Sequence, residues 1–159
     1  GAGCLACNEP GCPGGFSLRL EAADPAGFSA GAHRFEITVE DSLFEVRCVF
    51  TENNETSVCE PALRREGKSR ADVDLSIGAR PDPDRPDPVG QVFISIVDTS
   101  KSDGAFKAYR GPEYVAVRVE HEGVELGTVE YTPQYDRTEH RGSPECGYCD
   151  ESEEFVDEV

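Results

Sequence analysis

The chain reads as an all-β protein: an antiparallel β-sandwich of immunoglobulin-like or related topology, with seven to eight strands. Three observations lead there. From Phe16 to about Tyr135 apolar and polar residues alternate with period two, turns break the alternation at intervals typical of sandwiches, and no stretch carries helical spacing. Val and Phe are prominent while Trp and Met are absent, and β-branched and aromatic side chains suit a pleated, half-buried surface. The 159 residues fit one domain, and a chain of this size buries roughly 70% of its unfolded surface without outside help. Three segments follow: a cysteine-rich arm over 1–15, the sandwich over 16–135 and an acidic tail over 136–159.

The strands justify themselves in order. Phe16, Leu18 and Leu20 alternate with Ser17, Arg19 and Glu21. Phe35, Ile37 and Val39 repeat the pattern, and Phe44, Val46, Cys48 and Phe50 continue it, which places the Cys48 sulfur on the buried face. Val73, Leu75 and Ile77 make a fourth strand. Val92, Ile94 and Ile96 make a fifth, with Phe93 and Val97 on its other side. Val115, Val117 and Val119 lead through the turn Glu122-Gly123 into Val124, Leu126 and Val129. Between Arg80 and Pro88 four prolines alternate with charged residues, which reads as an extended solvated connection.

One register is sharper than the rest. A two-residue turn at Asn53-Asn54 sets Cys48 directly opposite Cys59, and asparagine tolerates the positive φ that such turns need. A cross-strand disulfide follows, with a chain-entropy contribution of ~3 kcal/mol. Counted from that turn, the two cysteines form a hydrogen-bonded pair, the wider kind, which suits a disulfide less well.

The other five of the seven cysteines crowd the two ends. The opening Gly1-Ala2-Gly3-Cys4 resembles the tail of a bacterial lipobox, in which small residues precede the cysteine that is acylated; Gly1 stands where Leu is usual. The resemblance spans four residues. It implies an exported lipoprotein, periplasmic or at the cell surface, that touches the membrane only through a lipid anchor at Cys4. Setting Cys4 aside leaves six cysteines, an even number that can pair completely. Cys7 can bridge to Cys12 across the Pro10-Gly11 turn and Cys146 to Cys149, or the two ends can be stapled to each other.

Cys146-Gly147-Tyr148-Cys149 looks like the active-site tetrapeptide of thioredoxin-like disulfide exchangers. That motif belongs at a helix N-terminus in an α/β fold, and the acidic run behind Cys149 would raise a thiol pKa, so a structural bridge is the expectation. The alternative is a zinc site on Cys4, Cys7, Cys146 and Cys149, which requires the fold to bring its ends together. The ten residues after Cys149 are dominated by carboxylates without calcium-loop spacing, and read as a mobile tail.

Charge and motif searches narrow the function. Thirty-two acidic against 15 basic residues give −17, which repels a phosphate backbone, so no nucleic-acid partner is expected. The basic cluster Arg64, Arg65, Lys68 and Arg70 reads as a solvated loop, and Asn54-Glu55-Thr56 as a chance glycosylation sequon. No nucleophile elbow, zinc-protease motif or phosphate loop occurs. His33, His121 and His140 read as surface residues. Glu120, Glu122, Glu125 and Glu130 read as solubilising, although a carboxylate hydrolase on a sandwich scaffold is a second alternative. The expectation is a non-catalytic binding or structural module, without cofactor, meeting a protein or cell-envelope partner.

Overall fold

Period-two burial builds two sheets whose apolar faces meet. A computed structural model of the chain describes residues 15–80, 87–97, 108–109, 111–139, 148–152 and 154–159. The strands are β1 (Phe16–Glu21), β2 (Gly31–Val39), β3 (Ser42–Phe50), β4 (Val58–Cys59), β5 (Leu63–Glu66), β6 (Asp72–Ala79) and β7 (Val89–Val97). They continue with β8 (Ala108–Tyr109), β9 (Val115–His121), β10 (Val124–Tyr131), β11 (Asp136–Glu139), β12 (Tyr148–Glu151) and β13 (Phe155–Glu158). Sheet one runs β13-β1-β7-β6. Sheet two runs β10-β9-β2-β3, and both β4 and β5 add to β3. A small third sheet joins β11, β12 and β8.

All seven alternating stretches are strands, and their apolar positions form one core. Phe16, Leu18 and Leu20 of β1 and Val92, Ile94 and Ile96 of β7 meet Phe35, Ile37 and Val39 of β2 and Val115, Val117 and Val119 of β9; each is at most 2% exposed. The expected number of strands was too low. The six additional ones are two to four residues long, too short to display a period.

The strand order is a Greek key. The chain crosses between sheets after β1, after β5 and between β7 and β9, and returns to sheet one at β13. With β1 as strand B, the orders β1-β7-β6 and β10-β9-β2-β3 are the B-E-D and G-F-C-C′ arrangement of an immunoglobulin-type sandwich. Two features depart from that type. Neither β1 nor β9 carries a cysteine, so no bridge joins the sheets through them. The position beside strand B, normally an antiparallel strand A, is taken by β13 running parallel.

That last point corrects the expected mobile tail. Phe155 lies 5.6 Å from the Phe16 ring and 4.7 Å from Tyr131, so this end of the acidic segment is packed as a strand. Phe155 and Val159 suffice among the carboxylates, since both pack against the core while Val156 and Glu158 face outward.

The Asn53-Asn54 turn is also corrected. Residues Asn54–Thr56 form a single 3₁₀ turn, with the Asn53 side chain accepting from the Glu55 N–H as a cap. Thr51 and Ser57 side chains close the loop beneath it. The register nevertheless places Cys48 opposite Cys59, and they are bonded. The neighbouring Glu60 N–H donates to Arg47 O, so 47/60 is the hydrogen-bonded pair and 48/59 the narrow one. Their Cα atoms are 4.0 Å apart, as that pairing requires. A longer loop thus removes the misfit that a two-residue turn would impose.

Candidate functional site

The outward face of sheet two carries a lattice of ion pairs. Because 33, 35, 37 and 39 point inward on β2, Arg34 and Glu36 point out, and the same rule turns Glu45 and Arg47 on β3 and Arg118 and Glu120 on β9 to the outer face. The register sets Arg34 opposite Glu120 and Glu36 opposite Arg118. Arg34 Nε donates to Glu120 at 2.7 Å, and Arg118 reaches the other Glu120 oxygen at 3.0 Å. Arg118 also donates to Glu125 of β10 at 2.8 Å. Toward the other edge Glu45 accepts from Arg47 at 2.5 Å and from Arg65 of β5 at 3.2 Å. Burial works against the charge on Glu45, but these two arginines outweigh it and hold its carboxyl below the ordinary range.

A groove opens beside this lattice. Pro61 interrupts the edge between β4 and β5, and a cavity of about 280 Å³ opens there, lined by Pro61, Ala62 and Leu63 together with Arg47, Arg65, Glu45 and Glu60. Leu63 is 52% exposed, and the cross-strand pair Val49 and Val58 lies on the same outward face at 54% and 64%. On a chain of net charge −17, this region combines balanced charge with open apolar surface.

Beneath, on the inward face, four residues form one row across three pairings: His121, His33, Cys48 and Cys59. His33 is 2% exposed, lying 4.3 Å from the Phe50 ring and 4.5 Å from His121, on which it stacks. This corrects the reading of His33 as a surface residue. His33 occupies an inward position of β2, and its ring packs among aromatic side chains. His121 is half-buried, and its Nε2 meets Ala30 O at 2.9 Å. His140 lies outside the described residues.

The remaining expected sites fall as follows. The Cys48–Cys59 bridge is present. Cys4, Cys7, Cys12 and Cys146 lie outside the described residues; the backbone of Cys149 belongs to β12, paired with Thr138 of β11. Among the described residues, no three His, Cys, Asp or Glu side chains gather as metal ligands. Arg64 and Arg65, expected in a loop, lie in strand β5, while Lys68 and Arg70 follow it. Glu120, expected as a solvated carboxylate, has a side chain only 8% exposed and held by two arginines. Glu130 accepts from the Tyr114 hydroxyl. Sequence reasoning missed the groove. Its one signal was Pro61 beside Leu63, a proline interrupting an edge strand next to an apolar residue.

No protein-family model, no curated protein and no solved structure matches the chain.

Proposed function

We propose that the chain is a non-catalytic binding or structural module working outside the cytosol, anchored through a lipid on Cys4, that meets a protein or cell-envelope partner with the outward face of sheet two. The observation that carries this reading is the Cys48–Cys59 bridge, built into the register of the sandwich. Bonds of this kind persist in oxidising compartments and are lost in a reducing cytosol. The lipobox-like opening supplies the anchor. The groove beside Leu63 supplies a place for an apolar side chain of a partner, between the charged side chains of Arg47, Arg65, Glu45 and Glu60.

The carboxylates of this face argue against hydrolysis. A general acid needs an apolar pocket that keeps its proton at neutral pH. Here Glu45 is pushed the other way, and Glu120 spends both oxygens on Arg34 and Arg118.

The test is an intact mass, with and without reductant, of protein isolated from its native host without added thiols. The expected result is an acyl adduct mapping to Cys4 and a mass gain on reduction that includes the 48–59 bridge. Unmodified Cys4 together with fully reduced cysteines would overturn both the export and the anchor.

A further inference from the structure

One end of the sandwich is held by three hydrogen bonds that lie over a buried imidazole. The β9–β10 hairpin closes through Glu122 (φ 49°) and Gly123 (φ 80°), both in the left-handed region, as the tightest hairpin turn demands. Glycine accepts that region freely, whereas Glu122 does so at a steric cost. What Glu122 gains is position. Its Oε1 accepts the Ala32 N–H at 2.9 Å, and its own N–H donates to Ala32 O at 2.9 Å. Gly31 (φ 125°) lets the chain approach, for a side chain there would run into that carboxylate. His121 adds its contact with Ala30 O. Three bonds thus fasten residues 30–32 to the hairpin.

His33 lies directly under this fastening. Its Nδ1 lies 3.2 Å from Gly31 O, so Nδ1 carries the proton and Nε2 is left as a bare lone pair. Nε2 is buried and has no partner. Because 32/122 is the hydrogen-bonded pair, 33/121 is the narrow one, which brings the two imidazoles face to face. Stacked rings direct their lone pairs in parallel planes, so the pair is not disposed to share a metal. The groups facing His33 are few. His121 and Glu122 are the titratable ones, while Phe28 and Phe50 are apolar and Cys48 is bridged. A proton on Nε2 would find no acceptor and would sit against a second imidazole.

We propose that this cluster is an acid-sensitive clasp: protonation of His33 releases residues 30–32 from the β9–β10 hairpin and opens this end of the sandwich. Burial is the dominant influence on His33 and lowers its pKa from the ordinary 6.5; His121 adds to the lowering, and the Gly31 carbonyl and Glu122 oppose it. The sign follows. Between the lowered folded value and 6.5 the opened chain binds the proton that the closed one refuses, so the clasp is firm above 6.5 and weakens as pH falls. The protein's charge of −17 acts in the opposite sense, since acidification relieves self-repulsion. A local readout is therefore needed.

That readout is amide exchange at Ala32 and Glu122, followed by NMR between about pH 8 and pH 5 alongside the His33 ring resonances. His33 is expected to titrate below 6.5, and protection at both amides to fall about tenfold per pH unit until that midpoint. His33→Phe keeps the aromatic packing without the titration and should flatten the profile, with His121 unchanged. A His33 that titrates at or above its ordinary value, unchanged amide protection in the wild type, or a profile retained in a folded His33→Phe would each overturn the clasp. The wild-type titration decides the matter even if the variant does not fold.

Discussion

The sandwich is closed by different means along its two long flanks. On one flank β13 lies on β1, and Phe155 fills the gap to β10 between Phe16 and Tyr131. The Tyr131 hydroxyl donates to Asp157, and Val159 exchanges backbone bonds with Glu21 and Ala23. On the other flank β3 receives only the short pieces β4 and β5, and the edge strand β6 keeps Leu75 and Ile77 half-buried. There the Cys48–Cys59 bridge ties the edge. The first flank is stabilised by apolar area removed from water alone; the second adds restriction of the unfolded chain to the apolar area that β3 buries. On this flank the bridge adds to the burial of Phe44 and Phe50 on β3.

The largest expected effect is on the covalent flank. Replacing both cysteines (Cys48→Ala with Cys59→Ala) should cost ~3 kcal/mol, since the bridge closes an 11-residue separation. Urea unfolding without reductant measures it. A loss well below 1 kcal/mol would mean that the β3–β4 edge holds without its bridge, and the contrast between flanks would fail. Next comes Phe155→Ala. A fully buried phenylalanine loses ~3 kcal/mol or more on truncation, and this half-buried one should lose about 2. Combining the three substitutions sharpens the comparison. Separate closures predict additivity within about 0.5 kcal/mol, and a larger discrepancy would show that the flanks communicate through the core.

The two flanks also differ in how far the sequence reveals them. Cys48 and Cys59 declare their pairing because alternation and a nearby turn fix a register over a short span. That inference survived an error in the turn itself, since residues 50–57 connect the Val49–Val58 pair in the same register with the 3₁₀ turn as with a two-residue turn. Phe155 declares nothing. It follows a run of acids, its strand has four residues, and its partner β1 lies at the opposite end of the sequence. Long-range pairing of a short segment leaves no period to read. His33 failed for another reason: histidine fits either side of a sheet, and only its parity with Phe35 and Ile37 put it inside. The lattice on sheet two was half legible, because alternation puts Arg34, Glu45 and Glu120 on the outer face, yet which acid faces which arginine depends on the order of strands.

The smallest effect tests that lattice beside the covalent flank. Glu45→Gln removes the acceptor shared by Arg47 and Arg65 while keeping its volume. Both arginines remain largely in water, at 59% and 43% exposure, so the pairs should be worth only about 0.5 kcal/mol at neutral pH. The pH dependence has a definite sign. Glu45 is held below its ordinary 4.5, so its contribution is complete above that value and lost as pH falls through the lower folded one. Wild type and variant should therefore converge in acid, and should also converge in about 1 M salt, where screening reaches within ~3 Å. A difference that survives both treatments would assign Glu45 a packing role over the groove. The outward face would then contribute to closing its flank, instead of standing apart from the bridge beneath it.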